Sequence, residues 1–190
     1  YIHKRVALKL LRADAWSDHR AVERLQKEAR VTSALGHPNI VQVEDFGHAQ
    51  DGSVYLATEW LEGETLAATM ARGPVAPARA LRWVAQVCRG LAAAHAAGVV
   101  HRDVKPANLF VVQSGGGDRD AVETLKILDF GIAKQVVGEK GASLTQTGTF
   151  VGTPFYMAPE QALGTGLDHR ADIYAVGVLL YQLFTGALPF

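Results

Sequence analysis

The sequence has a single cysteine, Cys88, so it can form neither an internal disulfide nor a cysteine cage for a metal. A reducing cytoplasm is the simplest compartment for such a chain. It also has no excess charge of either sign, since 19 Lys and Arg balance 19 Asp and Glu. No global field favours nucleic acid or an anionic membrane, and any phosphate binding has to be local. There is no basic-then-apolar leader. The longest apolar run, "IYAVGVLLYQLF" at 173–184, is shorter than the roughly 20 residues that cross a bilayer. It reads as a helix buried inside a domain. No internal repeat is visible, and the glycine triplet 115–117 is the only low-complexity patch. The ends lack the usual features too: "YIHKRVALKLL" opens like the middle of a sheet and "TGALPF" closes without a polar tail. The expectation is a fragment cut at both ends.

What is present suits a globular chain with a real core: 190 residues, 48% apolar and 20% charged. Residues 5–11, "RVALKLL", predict a strand whose alternation brings Ala7 and Lys9 onto one face. Residues 17–36 predict a helix with Ser17 as cap and Gly36 as stop, carrying Leu25, Glu28, Thr32 and Leu35 on one side. "IVQVEDFG" and "SVYLATEW" predict two strands joined by a turn around "QDG". At "LEGETL" (61–66) the pattern turns helical, first in "ETLAATMARG". A second helix, "ARALRWVAQVCRGLAAAHAAG", follows, with Leu81, Val84, Cys88, Leu91 and His95 as its apolar stripe. Trp83, Cys88 and His95 on this helix read as core. "NLFVV" and "LKILDF" predict short strands, and a long loop from about 132 to 160 precedes the last helix.

The chemistry concentrates in "HRDVKPANLF" at 101–110. Alone, Asp103 between Arg102 and Lys105 could be an ordinary charge cluster. Pro106 forbids a helix running through, which holds the loop open so that Asp103 and Asn108 can face a common point. Asp129 ends the apolar strand "LKIL" and precedes Phe130 and Gly131, a carboxylate at a strand tip beside a flexible hinge. Carboxylate and carboxamide oxygens suit Mg²⁺, which shares its shell with phosphates and water. Glu28 falls on the apolar side of its helix, where a carboxylate needs a partner. Lys9, inward on the preceding strand, is the natural candidate; the plainer alternative is a solvated Glu28 on an exposed surface.

Together, "VALK", "HRDVKPAN", "DFG" and "MAPE", in this order, resemble the eukaryotic-type protein kinases. "HPNIV", "KPANLF", "DFGIAK" and "MAPEQA" are similar to the bacterial serine/threonine kinases of that type. The resemblance covers the whole chain. It implies an α+β, bilobal protein-kinase-like fold, truncated: a partial antiparallel-sheet N-lobe with one helix at 1–62, and a partial helical C-lobe at 63–190. It also implies transfer of the γ-phosphate of ATP, with Mg²⁺, to Ser or Thr hydroxyls of protein substrates. Partners would be those substrates, with dimerisation for autophosphorylation open, no nucleic acid, and no membrane segment within the fragment. The catalytic part would lie in the cytoplasm, where ATP is.

The resemblance also implies a role for each matching residue. Lys9 would hold the α- and β-phosphates and pair with Glu28. Asp103 would take the hydroxyl proton, Lys105 would steady the γ-phosphate, and Asn108 and Asp129 would hold the metal. Thr153 in "GTPFYMAPE" would bond Asp103 and Lys105. Adenine would sit against "TEWLEGE", with Thr58 as gatekeeper and the backbone of Glu59 and Leu61 supplying hydrogen bonds. Ala7 would lie above the ring, Phe110 below it, and Glu64 at the ribose. Thr145, Thr147 and Thr149 would be activation-loop phosphosites sensed by Arg102 and Lys134. Asp172 would tie the catalytic loop to the long helix. His101, Phe130 and Val43 would stack in an internal spine, with Thr32 where the family has a larger apolar residue.

The sequence departs from the family pattern at its start, because too few residues precede "VALK" to include the glycine-rich phosphate lid. That leaves two rival readings. One is a pseudokinase or scaffold module that keeps the fold without phosphotransfer. Against it, Lys9, Glu28, Asp103, Asn108 and Asp129 are all present. The other is a small-molecule kinase, which "GTPFYMAPE", a peptide-binding floor in the family, disfavours.

Overall fold

The computed structural model describes residues 4–11, 29–51, 53–113, 123–130 and 154–190. The expectations for Glu28, Lys134, Thr145, Thr147, Thr149 and Thr153 lie outside them.

The first sheet comprises β1 (Val6–Leu11), β2 (Val43–His48) and β3 (Val54–Glu59), ordered β1-β3-β2 and antiparallel throughout. In β1 the alternation turns Ala7 and Lys9 to the half-buried side and Leu8 and Leu10 to solvent. Among the described residues, helix α1 covers 29–35 and stops at Gly36, whose φ of +52° suits glycine. Ala29 of α1 packs with Val43, Val54 and Leu56 in a small core.

Strand β2 begins at Val43 rather than at Ile40, because the residues before it pair elsewhere. Ile40 bridges Ile127 in parallel, Val41 N–H donates to Ile127 O at 3.0 Å, and Ile127 N–H donates to Asn39 O at 2.9 Å. The stretch after α1 is thus hydrogen-bonded to the second half of the chain.

That half starts with a strand that was not predicted, β4 (Gly63–Thr65). With β5 (Leu109–Val112) and β6 (Thr124–Ile127) it forms a second antiparallel sheet, β4-β5-β6. Three residues of "GETL" give little periodicity to read, and the pairing to β5 decides the matter. Gly63 is required there: its φ is +148°, and a Cβ would stand 2.1 Å from Val111 O. Helix α2 (Leu66–Ala71) follows, capped by Thr65, whose Oγ1 accepts from Ala68 N–H at 3.2 Å.

Helix α3 (Pro77–Ala96) and helix α5 (Arg170–Thr185) pack on each other, and α3 also packs on β6. The buried face of α3 carries Ala80, Trp83, Val84, Val87, Leu91 and Ala94. This corrects the predicted stripe, which is rotated by about one residue. Leu81 and Cys88 are exposed, so neither is core. Alanine is too frequent in this helix for apolar periodicity to fix its orientation; burial of the large Trp83 does so. A short helix, α4 (Pro159–Leu163), and a 3-10 turn at Pro154–Tyr156 replace the end of the predicted long loop. Among the described residues no helix is long and apolar enough to cross a membrane.

Candidate active site

The segment 101–108 takes its shape from a carboxylate on another element. Asp172, in the first turn of α5, is 1% exposed. Its oxygens accept the backbone N–H of His101 and of Arg102, each at 2.8 Å, and Nε2–H of His95 at 2.7 Å. Three donors compensate the buried charge. They also hold Arg102 at a φ of +66°, a conformation that a non-glycine residue keeps only when its surroundings impose it. Gln161 of α4 adds a bond from Nε2 to Arg102 O at 2.7 Å. The sequence pointed to Asp172, but it gave His95 only a packing role. The signal available was its place in the last turn of α3, six residues before His101.

His101 is fully buried, and burial lowers its pKa below the usual histidine value. Its Nε2 donates to Leu128 O at 2.8 Å, which leaves Nδ1 to accept Asp103 N–H at 3.2 Å. A neutral imidazole with the proton on Nε2 fits both contacts. The ring packs on Phe130, with centroids 4.8 Å apart.

Pro106–Asn108 form a 3-10 turn that swings Asn108 back over Asp103. Asn108 Nδ2 donates to Asp103 O at 2.8 Å and to Asp103 Oδ2 at 2.9 Å. Lys105 Nζ stands 2.9 Å from the same Oδ2. Asn108 O in turn accepts Leu128 N–H at 2.8 Å, which fixes the loop to the residue before Asp129. Asp129 has a φ of +46°, and its carboxylate meets Lys9 Nζ, reaching over from β1, at 2.9 Å. The structure therefore brings together Asp103, Lys105, Asn108, Asp129 and Lys9.

The residues expected around adenine lie on β1, β3, the connector and β5. Ala7 is paired with Thr58, and Thr58 also faces Val43. The Glu59 side chain is turned back into the protein: Oε1 accepts Gln42 N–H at 2.8 Å and ion-pairs with Lys126 at 2.7 Å. Glu59 N–H donates to Gln42 O at 2.9 Å, so of its backbone groups only the carbonyl could serve a base. Leu61 lies in the connector between β3 and β4, and Phe110 on β5 is close to Gly63. Glu64 accepts from Thr69 Oγ1 at 2.7 Å and ion-pairs with Arg72. The Arg72 hydrogen bond, with Thr69 adding, holds the Glu64 carboxyl below its usual range. The Glu59–Lys126 pair was not foreseen, because nothing in the sequence links the end of β3 to β6.

A two-sheet α+β frame that sets a carboxylate, a carboxamide and a second carboxylate against a lysine has the geometry of a phosphoryl-transfer domain. The chain belongs to the protein kinase domain family, whose model matches residues 2–190. It is 48% identical over 191 residues to serine/threonine-protein kinase pkn3 of Myxococcus xanthus, covering 100% of this chain and 34% of that protein. It is 39% identical over 193 residues to serine/threonine-protein kinase PknB of Mycobacterium tuberculosis, covering 100% of this chain and 29% of that protein. The crystal structure of the Mycobacterium tuberculosis PknI kinase domain superposes with a TM-score of 0.74 at 31% identity. That match covers 97% of this chain and 65% of the PknI chain. The chain thus spans about a third of the length of these curated relatives.

Proposed function

We propose that the protein transfers the γ-phosphate of ATP to serine and threonine hydroxyls of protein substrates. The observation that carries this is the clamp on Asp103. Lys105 and Asn108 orient its carboxylate, and Asn108 is bonded to the segment that places Asp129 opposite Lys9. The family and its serine/threonine-kinase relatives support the reading.

In this reading the substrate hydroxyl lies against Asp103, which orients it and accepts its proton as the oxygen attacks the γ-phosphorus. The bond from that phosphorus to the bridging β–γ oxygen breaks, and ADP leaves. Lys105 shares Oδ2 with Asn108 and lies where it can steady the transferring phosphoryl group. Lys9 serves the α- and β-phosphates. Positioning and charge neutralisation provide most of the acceleration, because phosphoryl transfer asks for little covalent help.

The donor set fits Mg²⁺. With both Nδ2 contacts of Asn108 on Asp103, its side-chain oxygen is turned the other way, and Asp129 already attracts a cation in Lys9. Asn108 and Asp129 would hold the ion, which when bound neutralises phosphate charge. Thr58, the Glu59 carbonyl, Leu61, Ala7 and Phe110 would receive the adenine. Glu64 would reach a ribose only by leaving Arg72.

Residues 1–62 and 63–190 act as the two lobes of this machine, in the cytoplasm where ATP is available. Phosphorylation of Thr145, Thr147 or Thr149, between two copies in a dimer, would engage Arg102 and Lys134. Arg102 has a buried Nε with no hydrogen-bond partner among the described residues.

The test uses the gene product that carries this chain, with ATP labelled at the γ-phosphate and a mixed protein acceptor. Label should appear on serine and threonine, and Asp103→Asn should lower turnover by roughly 10²–10⁴-fold. Near-normal turnover in that variant removes the base. Absence of transfer, with ATP still bound, favours a scaffold.

A further inference from the structure

A groove of about 550 Å³ opens beside the catalytic loop. Its walls come from five separate places: α2, the α2–α3 turn, the loop after Asp103, the 3-10 turn that ends at Tyr156, and the C-terminal end of α5. Ala67, Met70, Val75, Ala107, Tyr156 and Leu183 give it a mostly apolar lining. Among the described lining residues Lys105 is the only charged one, and none is a carboxylate. Lys105 therefore has two relationships: it borders the groove, and its Nζ is 2.9 Å from Asp103.

We propose that this groove selects protein substrates by an apolar side chain, two to four residues from the phosphorylated serine or threonine. The proposal rests on the kinase reading above and deepens it. Because one residue belongs to both sites, a peptide in the groove has its reacting hydroxyl within a few residues' span of Asp103. An extended chain advances roughly 3.3 Å per residue, so the two sites suit neighbouring positions of one segment.

Charge then excludes the alternatives. A guanidinium or ammonium in the groove would find no carboxylate among the described lining residues and would face Lys105. An acidic side chain would compete with Asp103 for Lys105 and disturb the base. Gln182 is the one polar side chain at the far wall besides Tyr156, and the Tyr156 hydroxyl bonds it, so these two groups satisfy each other. A leucine, methionine or phenylalanine loses water on entry and strands no polar group.

The experiment uses the gene product carrying this chain and peptides with one serine or threonine in an alanine background. Leucine, arginine and glutamate are placed in turn at each position within four residues of the hydroxyl. For each peptide kcat/KM is measured, and affinity is read separately by fluorescence anisotropy. Leucine at one or two positions should raise kcat/KM and affinity about tenfold over alanine, with no gain for arginine there.

Ala67→Phe, which fills the groove, should remove the leucine gain relative to alanine within that variant. Ala107→Glu should shift the preference from leucine to arginine. No leucine gain at any position overturns the proposal, as does a gain that survives both variants. So do peptide preferences that stay intact while either variant changes the oligomeric state, which would make the groove a self-contact. If no peptide is phosphorylated, the transfer reading fails on its own; the affinity ratios still decide the groove.

Discussion

Lys9 and Asp129 are ion-paired across the two sheets, with Nζ 2.9 Å from the carboxylate oxygen. The two side chains are 40% and 42% exposed, so the pair is a contact made at the edge of the cleft rather than in a core. Such pairs contribute roughly 0–1 kcal/mol. Replacing Lys9 by Met should therefore shift the melting temperature by no more than about 4 °C. Catalysis should fall far more, by about 10²-fold or more in kcat/KM for ATP, as when a charged group aimed at phosphate is removed. A large stability loss with unchanged kinetics would make Lys9 a structural residue.

Asp172 contrasts with that pair. Its oxygens, themselves buried, serve two backbone N–H groups and His95. Asp172→Ala strands these donors, at about 1–3 kcal/mol each for the two backbone groups. Denaturant unfolding should show a loss of more than about 3 kcal/mol, and Asp172→Asn, which keeps one oxygen, should fall between. Wild-type stability in the alanine variant would mean that the 101–103 segment is fixed by something else.

His101 gives the fold an acid limit. Burial lowers its folded-state pKa, while in the unfolded chain it titrates near the ordinary value of about 6.5. The unfolded state thus takes up the proton first, and stability is lost as pH falls below about 6.5 towards the depressed value. For one proton the slope approaches about 1.4 kcal/mol per pH unit. His101→Phe should be less stable at pH 8, having lost the Leu128 and Asp103 contacts, yet lose stability less steeply with acid. Parallel slopes in urea titrations at several pH values would assign the acid sensitivity to other groups.

Thr32 carries a buried hydroxyl with no partner among the described residues, and the residue is only 3% exposed. Val has nearly the same shape and no oxygen to leave unsatisfied. Thr32→Val should raise stability by about 1 kcal/mol, seen as a melting temperature about 2–4 °C higher. A lower melting temperature would show that the hydroxyl has a use in the folded protein.

Much of the candidate site was legible because its parts are local. Asp103, Lys105 and Asn108 lie within six consecutive residues, and Pro106 announces a break in helix there. The face carrying Ala7 and Lys9 follows from two-residue alternation in β1. What could not be read was set by long-range contacts. Nothing around Glu59 signals that its side chain turns back to Lys126, 67 residues away. His95 donates to Asp172 across 77 residues, and only its place in the last turn of an alanine-rich helix hints at it. The missed strand β4 is held by its pairing to β5 and by the space that only Gly63 leaves.

Two backbone links between the halves of the chain, among the described residues, have a mechanical consequence. Asn39 donates to Gln86 and to Leu125 O, each at 2.9 Å, and Ile40 bridges Ile127, so residues 39–41 are anchored to the helical half. At Gln42 the allegiance changes, since its N–H and C=O both engage Glu59. The other crossing is the connector after Glu59. A rotation of the first sheet over the cleft would thus pivot between residues 41 and 42 and about the connector. The Glu59–Lys126 pair would act as a strut across that axis.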